Sequence, residues 1–288
     1  MIMEKILVLG GTGMLGEPVV RHMLANGMQV RLLARDPEKA RAMFGETLEI
    51  VPGDATDPVA VEEALSGCDG VHISVGGPAE RIAAENAATL ASKHKLQRLT
   101  YISGATAFEQ NRWFPMTEQK LEAEKAIRES GVAFTLFCPT WPMEQLPRFA
   151  RGGQPLLVGD QPPPFHWFAA DDLGRMVAAA YQNPDSAGKK LFVHGPEAMP
   201  MDEALSRYCR VFHPEVESVP LMPIEAARAT AKSSGNQMLG FFAELMAYFE
   251  QVGEMGDPGE ANQLLGAPAT TLEDWLAKMK SALAPGQK

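Results

Sequence analysis

At 288 residues and a net charge of −10, the chain is long enough for a sizeable core. It is too acidic for broad binding to nucleic acid or anionic membrane, both of which reward a positive surface. Its 45% apolar and 22% charged content is that of an ordinary globular protein. Three scattered cysteines, Cys68, Cys138 and Cys209, show no CxxC or Cys/His ligand spacing. A reducing, cytoplasmic setting and no bound metal are expected. No apolar run reaches the ~20 residues of a membrane span, and a strand begins too early to leave room for a signal peptide.

The first element is an apolar run, Ile6 to Leu9, which breaks at Gly10-Gly11; Gly13 and Gly16 follow, and a helical pattern runs from Met14 to Asn26. Gln29 to Ala34 reads as the second strand, with a helix beginning near Pro37. Leu48 to Val51 is a third strand, Val59 to Leu65 a helix, and Gly70 to Val75 a fourth strand. Helix Ala79 to His94, strand Arg98 to Ile102, helix Thr117 to Ser130 and strand Ala133 to Phe137 complete a strict alternation. Such alternation requires crossover connections, hence an α/β fold with a doubly wound parallel sheet.

After Pro139 the rhythm changes. Thr140 to Phe168 is rich in proline, glycine and aromatics, with Pro162-Pro163-Pro164 its plainest linker-like piece. Asp171 or Asp172 is placed to cap a helix reaching Tyr181. Lys190 to His194 reads as a strand and Met201 to Phe212 as a helix, and the chain from Pro223 onward as helical. Thr271 and Asp274 there approximate a capping box. Two domains are expected: residues 1–150, joined by segments near 166–195, and an interleaved, mostly helical C-terminal lobe over 151–288. The lobe is expected over the carboxyl ends of the sheet, where open α/β folds bind ligands.

Several residues carry chemistry by their positions. The strand–glycine–helix junction Gly10 to Gly16 offers backbone N–H groups and a positive helix end to a phosphate. Its spacing, Gly10-x-x-Gly13-x-x-Gly16, is not the common G-x-G-x-x-G, and Leu15-Gly16-Glu17 excludes a P-loop ending in Gly-Lys-Ser/Thr. Arg35 ends the second strand, where a dinucleotide's adenosine ribose is met. An arginine there favours a 2′-phosphate and so NADP, with NAD possible. Lys39 stands close enough to assist, and Asp36 argues the other way. Asp54 either meets an adenine edge or caps its own loop. Ser74-Val75-Gly76 and Ser103-Gly104-Ala105 end the fourth and fifth strands, where small residues let a flat ring approach the backbone.

Together these motifs resemble the NmrA-like branch of the atypical short-chain dehydrogenase/reductases. The resemblance rests on GGTGMLG at 10–16, LLARDP at 32–37, GDATDP at 53–58, YISGATA at 101–107, Lys120-x-x-x-Glu124, AFTLFCPT at 133–140 and ADDLG at 170–174. It implies a Rossmann-like domain contacting NAD(P) through Gly10, Thr12, Gly13, Met14, Leu15, Gly16, Arg35, Asp54, Ala55, Ser74, Val75, Gly76, Lys120 and Pro139. It also implies a catalytic role for Lys120, while Ser103, well placed at the end of the fifth strand, is a candidate catalytic residue that would need an activator.

One departure stands out. The wider superfamily carries Tyr-x-x-x-Lys on the helix after the fifth strand; here the tyrosine position is Met116, which cannot transfer a proton. Without the resemblance, Lys120 reads as an exposed lysine paired with Glu124 at i+4. Tyr101 lies inside a strand, facing burial rather than substrate.

Trp113, Trp141 and His166 belong to loops expected to border a planar, small-molecule substrate. Met238, Phe242, Leu245 and Phe249 recur at helical spacing, as a core or dimer stripe does. The sequence thus points to an NADPH-dependent reductase of a planar acceptor such as a quinone, monomeric or homodimeric. An NADP(H)-binding redox sensor without turnover is the alternative, and an assembly role on the same scaffold a third.

Overall fold

The computed structural model describes residues 5–283 as two compact units built from interleaved segments. The first unit comprises residues 1–139, 170–193 and 257–267, and the second 140–169, 194–256 and 268–288. The expected boundary at 150 therefore falls at Pro139, and a short stretch of the tail returns to the first unit.

In chain order, the first unit opens with β1 (Lys5–Leu9), α1 (Gly16–Ala25), β2 (Gln29–Ala34), α2 (Pro37–Phe44), β3 (Glu49–Pro52) and α3 (Pro58–Leu65). It continues through β4 (Gly70–Ile73), α4 (Glu80–Lys93), β5 (Arg98–Ile102), α5 (Pro115–Glu129) and β6 (Phe134–Pro139). The second unit then supplies β7 (Trp141–Pro142), α6 (Leu146–Phe149), β8 (Leu157–Val158) and β9 (Phe165–Phe168). The chain returns to the first unit for α7 (Ala170–Gln182) and β10 (Lys189–Val193). Next come β11 (Glu197–Met199), α8 (Met201–Phe212), β12 (Leu221–Met222), α9 (Ile224–Ser234) and α10 (Gln237–Val252) of the second unit. Last are α11 (Gly259–Leu265) of the first unit and α12 (Leu272–Leu283) of the second.

The first unit is a doubly wound sheet, β10-β6-β5-β4-β1-β2-β3, with every neighbouring pair parallel. Helices on both faces explain why Ile6 to Leu9 are fully buried: a central parallel strand has no solvated side. The strand order reverses between β1 and β4. At such a switch point the flanking connections diverge and leave a crevice beyond the carboxyl ends of the strands.

Local signals set the helix starts. Asp36 accepts from Lys39 N at 3.0 Å and Asp57 from Val59 N at 2.9 Å, each just before a proline that opens the helix. The helix at 170 starts two or three residues earlier than a cap at Asp171 or Asp172 would place it, so both lie inside its first turn. There they face the positive end of the helix dipole.

The second unit has a core of its own around Trp141, Phe165, Trp167 and Met246. It also holds strands that the sequence reading missed: β11-β9-β7, with one antiparallel and one parallel pairing, and the two-residue pair β12-β8. Such short strands carry too few residues for an alternating pattern. Half of the expected capping box forms: Asp274 N donates to Thr271 Oγ1 at 3.1 Å, while the Asp274 carboxylate accepts from the Thr271 hydroxyl at 2.6 Å rather than from a backbone N–H. On α10, Phe242 and Phe249 pack on the core and Met246 is buried in it, while Met238 and Phe241 face solvent. No helix among the described residues is long and apolar enough to cross a membrane.

One polar chain runs through the sheet of the first unit. Tyr181 OH donates to Val71 O at 2.8 Å, so at 2.9 Å it accepts from Thr100 Oγ1, which in turn accepts from His72 Nδ1 at 2.7 Å. The His72 proton therefore sits on Nδ1, and the buried Nε2 has no partner. Complete burial drives this imidazole down to about 3 from 6.5. Between those values the unfolded chain binds a proton that the folded protein refuses. Stability should therefore fall as the pH drops through this window, by about 1.4 kcal/mol per pH unit at its steepest. Urea midpoints of wild type and His72→Leu across the window test this: the wild-type slope should be the steeper, and equal slopes would refute the assignment.

Candidate functional site

The turn after β1 is built by three glycines with three different reasons. Gly10 has φ of +81°, and a Cβ there would stand 2.5 Å from the carbonyl oxygen of Ser74 at the end of β4. A Cβ on Gly16 would lie 2.3 Å from Gly10 O, so only glycine lets α1 start this close to β1. Gly13 is less constrained, its Cβ position being 3.1 Å from Gly10 O, and its N–H donates to that same oxygen at 3.0 Å. Leu15 precedes α1 and provides no side-chain cap. The helix end thus presents its dipole and backbone donors at the switch point, the arrangement that receives an anion.

Positive charge gathers beside this turn. Arg35 is exposed at the end of β2 and makes no ion pair among the described residues. Lys39 reaches back from α2 to donate to Thr12 O at 3.3 Å. Asp36, which counted against a 2′-phosphate in the sequence, has its carboxylate engaged in capping α2. Asp54 Oδ1 accepts from both Thr56 N and Thr56 Oγ1 at 2.8 Å. Those two bonds, aided by the charge of Arg35, hold its carboxyl below the usual range. Asp54 therefore closes its own loop, with Ala55 next to it and Asn86 Nδ2 donating to Ala55 O at 3.1 Å. Ser74 N donates to Leu9 O at 2.9 Å, which joins the ends of β1 and β4; Val75 and the exposed Gly76 continue from there. Pro139 ends β6, and its carbonyl accepts from Ala105 N at 3.0 Å.

Two buried carboxylates organise the end of β5: Glu124, which the sequence offered as a partner for Lys120, and Glu80, which it did not single out. Glu80 Oε1 accepts from Lys120 Nζ at 2.6 Å and from Tyr101 OH at 2.5 Å. Glu124 Oε1 accepts from Ser103 Oγ at 2.6 Å, and its Oε2 lies 2.9 Å from Lys190 Nζ and 3.6 Å from Arg128. Lys120 is therefore neither exposed nor paired with Glu124; its stem lies over Gly104, where a Cβ would come within 3.3 Å of Lys120 Cε. Two of its three ammonium protons remain available. Tyr101 is fully buried, and burial, reinforced by Glu80, raises its hydroxyl well above the usual tyrosine range. Ser103, buried, gives its proton to Glu124 and keeps lone pairs that can accept. Met116 sits one helical turn before Lys120, in the first turn of α5.

The three expected substrate residues fall in different surroundings. Trp113 belongs to the first unit and is largely exposed. Trp141 is a core residue of the second unit, packed against Phe149, Phe165, Trp167 and Phe249 at ring separations of 4.7 to 6.4 Å. His166, on β9, faces Glu254, with Nδ1 2.5 Å from Oε1.

Comparison with known proteins points to reductases that bind NAD(P)H. A family described as NAD(P)H-binding matches residues 10–184. The (4-alkanoyl-5-oxo-2,5-dihydrofuran-3-yl)methyl phosphate reductase of Streptomyces griseus is 29% identical, over 97% of this chain and 99% of its own length. The NAD(P)H azoreductase of Xenophilus azovorans is 26% identical, over 67% of this chain and 69% of its own. In structure, the NADPH-dependent quinone oxidoreductase of Escherichia coli, solved with NADPH, superposes with a TM-score of 0.78 at 20% identity. That superposition covers 95% of this chain and 99% of the other.

Two outcomes are expected at these positions. Gly10→Ala should cost about 1–3 kcal/mol from the positive φ alone, and more from the collision with Ser74 O, read as a lowered thermal midpoint. Lys120→Ala leaves Glu80 buried without its counter-charge and should cost about 3–5 kcal/mol. The double replacement Glu80→Gln/Lys120→Met removes both charges and should recover most of that loss in urea unfolding. If single and double variants are equally destabilised, the pair is not what holds Glu80.

Proposed function

On the premise that this chain belongs to the NAD(P)H-binding family, we propose that it is an NADPH-dependent oxidoreductase that passes hydride to a small planar acceptor such as a quinone. The carrying observation is the anion-receiving turn at Gly10 to Gly16 with the unpaired Arg35 and the adjacent Lys39 beside it. The cradle fits the cofactor: the glycine turn and the start of α1 would hold the pyrophosphate, with Thr12, Met14 and Leu15 lining it. Arg35 and Lys39 would hold the 2′-phosphate, a role that two cations fill and that a ribose hydroxyl does not need. Asp54 and Ala55 would border the adenine. Ser74, Val75, Gly76 and Pro139 would line the path toward the ends of β4 and β6.

When bound, NADPH supplies hydride from its nicotinamide ring. Lys120, aimed by Glu80, would donate its remaining N–H groups to the adjoining ribose, and Ser103 would accept from the ring's carboxamide. The acceptor class draws support from the relatives, whose names state reduction of an oxo-dihydrofuran, of azo compounds and of quinones. A cytoplasmic setting is part of the proposal, supported by three cysteines that are free and buried. A redox sensor without turnover is favoured by one observation, the methionine at 116 in place of a proton-transferring tyrosine.

Purified protein, NADPH and a panel of quinones and azo dyes, followed at the nicotinamide absorbance, separate the two readings. Oxidation of NADPH by any of these acceptors is expected; tight NADPH binding with none turned over would establish the sensor instead. Arg35→Ala should weaken NADPH binding roughly tenfold or more, the worth of a charged hydrogen bond, and leave NADH unchanged. Equal effects on both would remove the 2′-phosphate assignment. The Glu80→Gln/Lys120→Met protein should bind NADPH yet lose most of its kcat.

A further inference from the structure

Three residues far apart in sequence converge in the second unit, away from any motif. His166 lies on β9, His194 follows β10, and Glu254 follows α10. One ligating atom from each lies within 4.8 Å of the other two. We propose that His166, His194 and Glu254 form a binding site for a zinc-class divalent transition metal, which clamps these three segments together.

The backbone is shaped for the convergence. A Cβ on Gly195 would overlap the carbonyl oxygen of Trp167 at 1.6 Å, so only glycine lets the His194 segment lie against β9. The two imidazole rings consequently stand 5.3 Å apart, centre to centre. Gly253 and Gly256, with φ of +66° and +91°, turn the chain after α10 and aim Glu254 at the rings.

The contacts around the cluster are close and largely shielded from solvent. His194 Nε2 is 3.2 Å from Met255 O, and a carbonyl only accepts, so Nε2 donates there and leaves Nδ1 as the atom turned to the cluster. Nδ1 faces Glu254 Oε1 at 3.4 Å, with His194 7% exposed and Glu254 14%. The same Oε1 is 2.5 Å from His166 Nδ1, and the second carboxylate oxygen is fixed by His166 N at 2.6 Å.

These are the marks of a metal site with its outer contacts in place. The outer nitrogen of one histidine is held by a backbone carbonyl, and the non-ligating carboxylate oxygen by a backbone N–H. Two imidazoles and one carboxylate suit zinc, cobalt, nickel or copper rather than magnesium or calcium, which require mostly oxygen ligands. Bonds of ~2.0–2.2 Å place tetrahedral ligands about 3.3 Å apart, within reach of small side-chain rotations here. His166 is 39% exposed, so a fourth position would open to water.

The test uses the full chain, stripped with a chelator and titrated with cobalt(II), whose visible absorption reports coordination. One equivalent is expected to bind, with a visible band and no near-ultraviolet thiolate band, to be displaced by zinc and not by magnesium, and to raise the thermal midpoint. His166→Gln alters a half-exposed ring and should fold; it should lose more affinity than the roughly 10- to 100-fold that an outer-shell partner costs. Glu254→Gln should abolish the band. Absence of stoichiometric uptake would overturn the site. A thiolate band, or undiminished binding by a folded His166→Gln protein, would also overturn it by locating the metal elsewhere. NADPH binding takes no part in this test, so its outcome is separate from that of the proposed reductase activity.

Discussion

The first unit depends on a backbone approach that no side chain can share. The chain at Gly10 passes so close to the Ser74 carbonyl that a methyl group would sit at 2.5 Å, and this contact lies where the strand order reverses. Gly16 then has to clear Gly10 O so that α1 can begin under the same turn. Gly11 meets a different limit, since its Cβ position is 2.6 Å from a methyl of Leu32 on β2. One closely packed corner thus joins β1, β2, β4 and α1. Its by-product is chemical: the helix end that it positions has no side-chain cap, and its donors are left to a ligand.

Electrostatics organise the other edge. Glu80 and Glu124 are 1% and 4% exposed, and each is satisfied by a lysine and a hydroxyl. Buried ion pairs of this kind add little net stability, because desolvation offsets attraction. What they accomplish is positional. Glu80, at the start of α4, fixes Lys120 of α5 and Tyr101 of β5, while Glu124 fixes Ser103 beside the end of β5 and Lys190 of β10. The polar atoms along the carboxyl edge therefore hold set rotamers rather than searching for them. Lys190 Nζ also donates to Ala107 O at 2.6 Å, which ties the loop after β5 to the edge strand.

The doubly wound sheet was legible because its signals are local and repeated: apolar strands, Asp-Pro helix starts and glycine exits follow one another. The glycine turn after β1 was legible for the same reason. The partner of Lys120 was not. Glu124, four residues on, is the local candidate, yet the ammonium meets Glu80, forty residues earlier, because α4 and α5 pack side by side. In the sequence Glu80 looks like any acidic residue in a first helical turn. Trp141 was placed at a pocket wall by its aromatic loop, but that loop contains β7 and folds the indole into a core. The histidine–carboxylate cluster was invisible, since no spacing rule joins positions 166, 194 and 254.

The methionine at 116 narrows the chemistry further than it first suggests. Reduction of an isolated ketone forms an alkoxide, which needs a proton as hydride arrives. The nearby hydroxyls are poorly suited to give one. Tyr101 is buried, with its proton directed at Glu80, and raised further from ionisation by that burial. Ser103 directs its proton at Glu124. A quinone or another extended conjugated acceptor differs, because its reduced form spreads the added charge over several atoms and can take protons afterwards from water. The residues that hold Lys120 and Ser103 in place therefore favour acceptors that need positioning more than they need acid catalysis, and the absent tyrosine becomes a specificity feature of the proposed reductase.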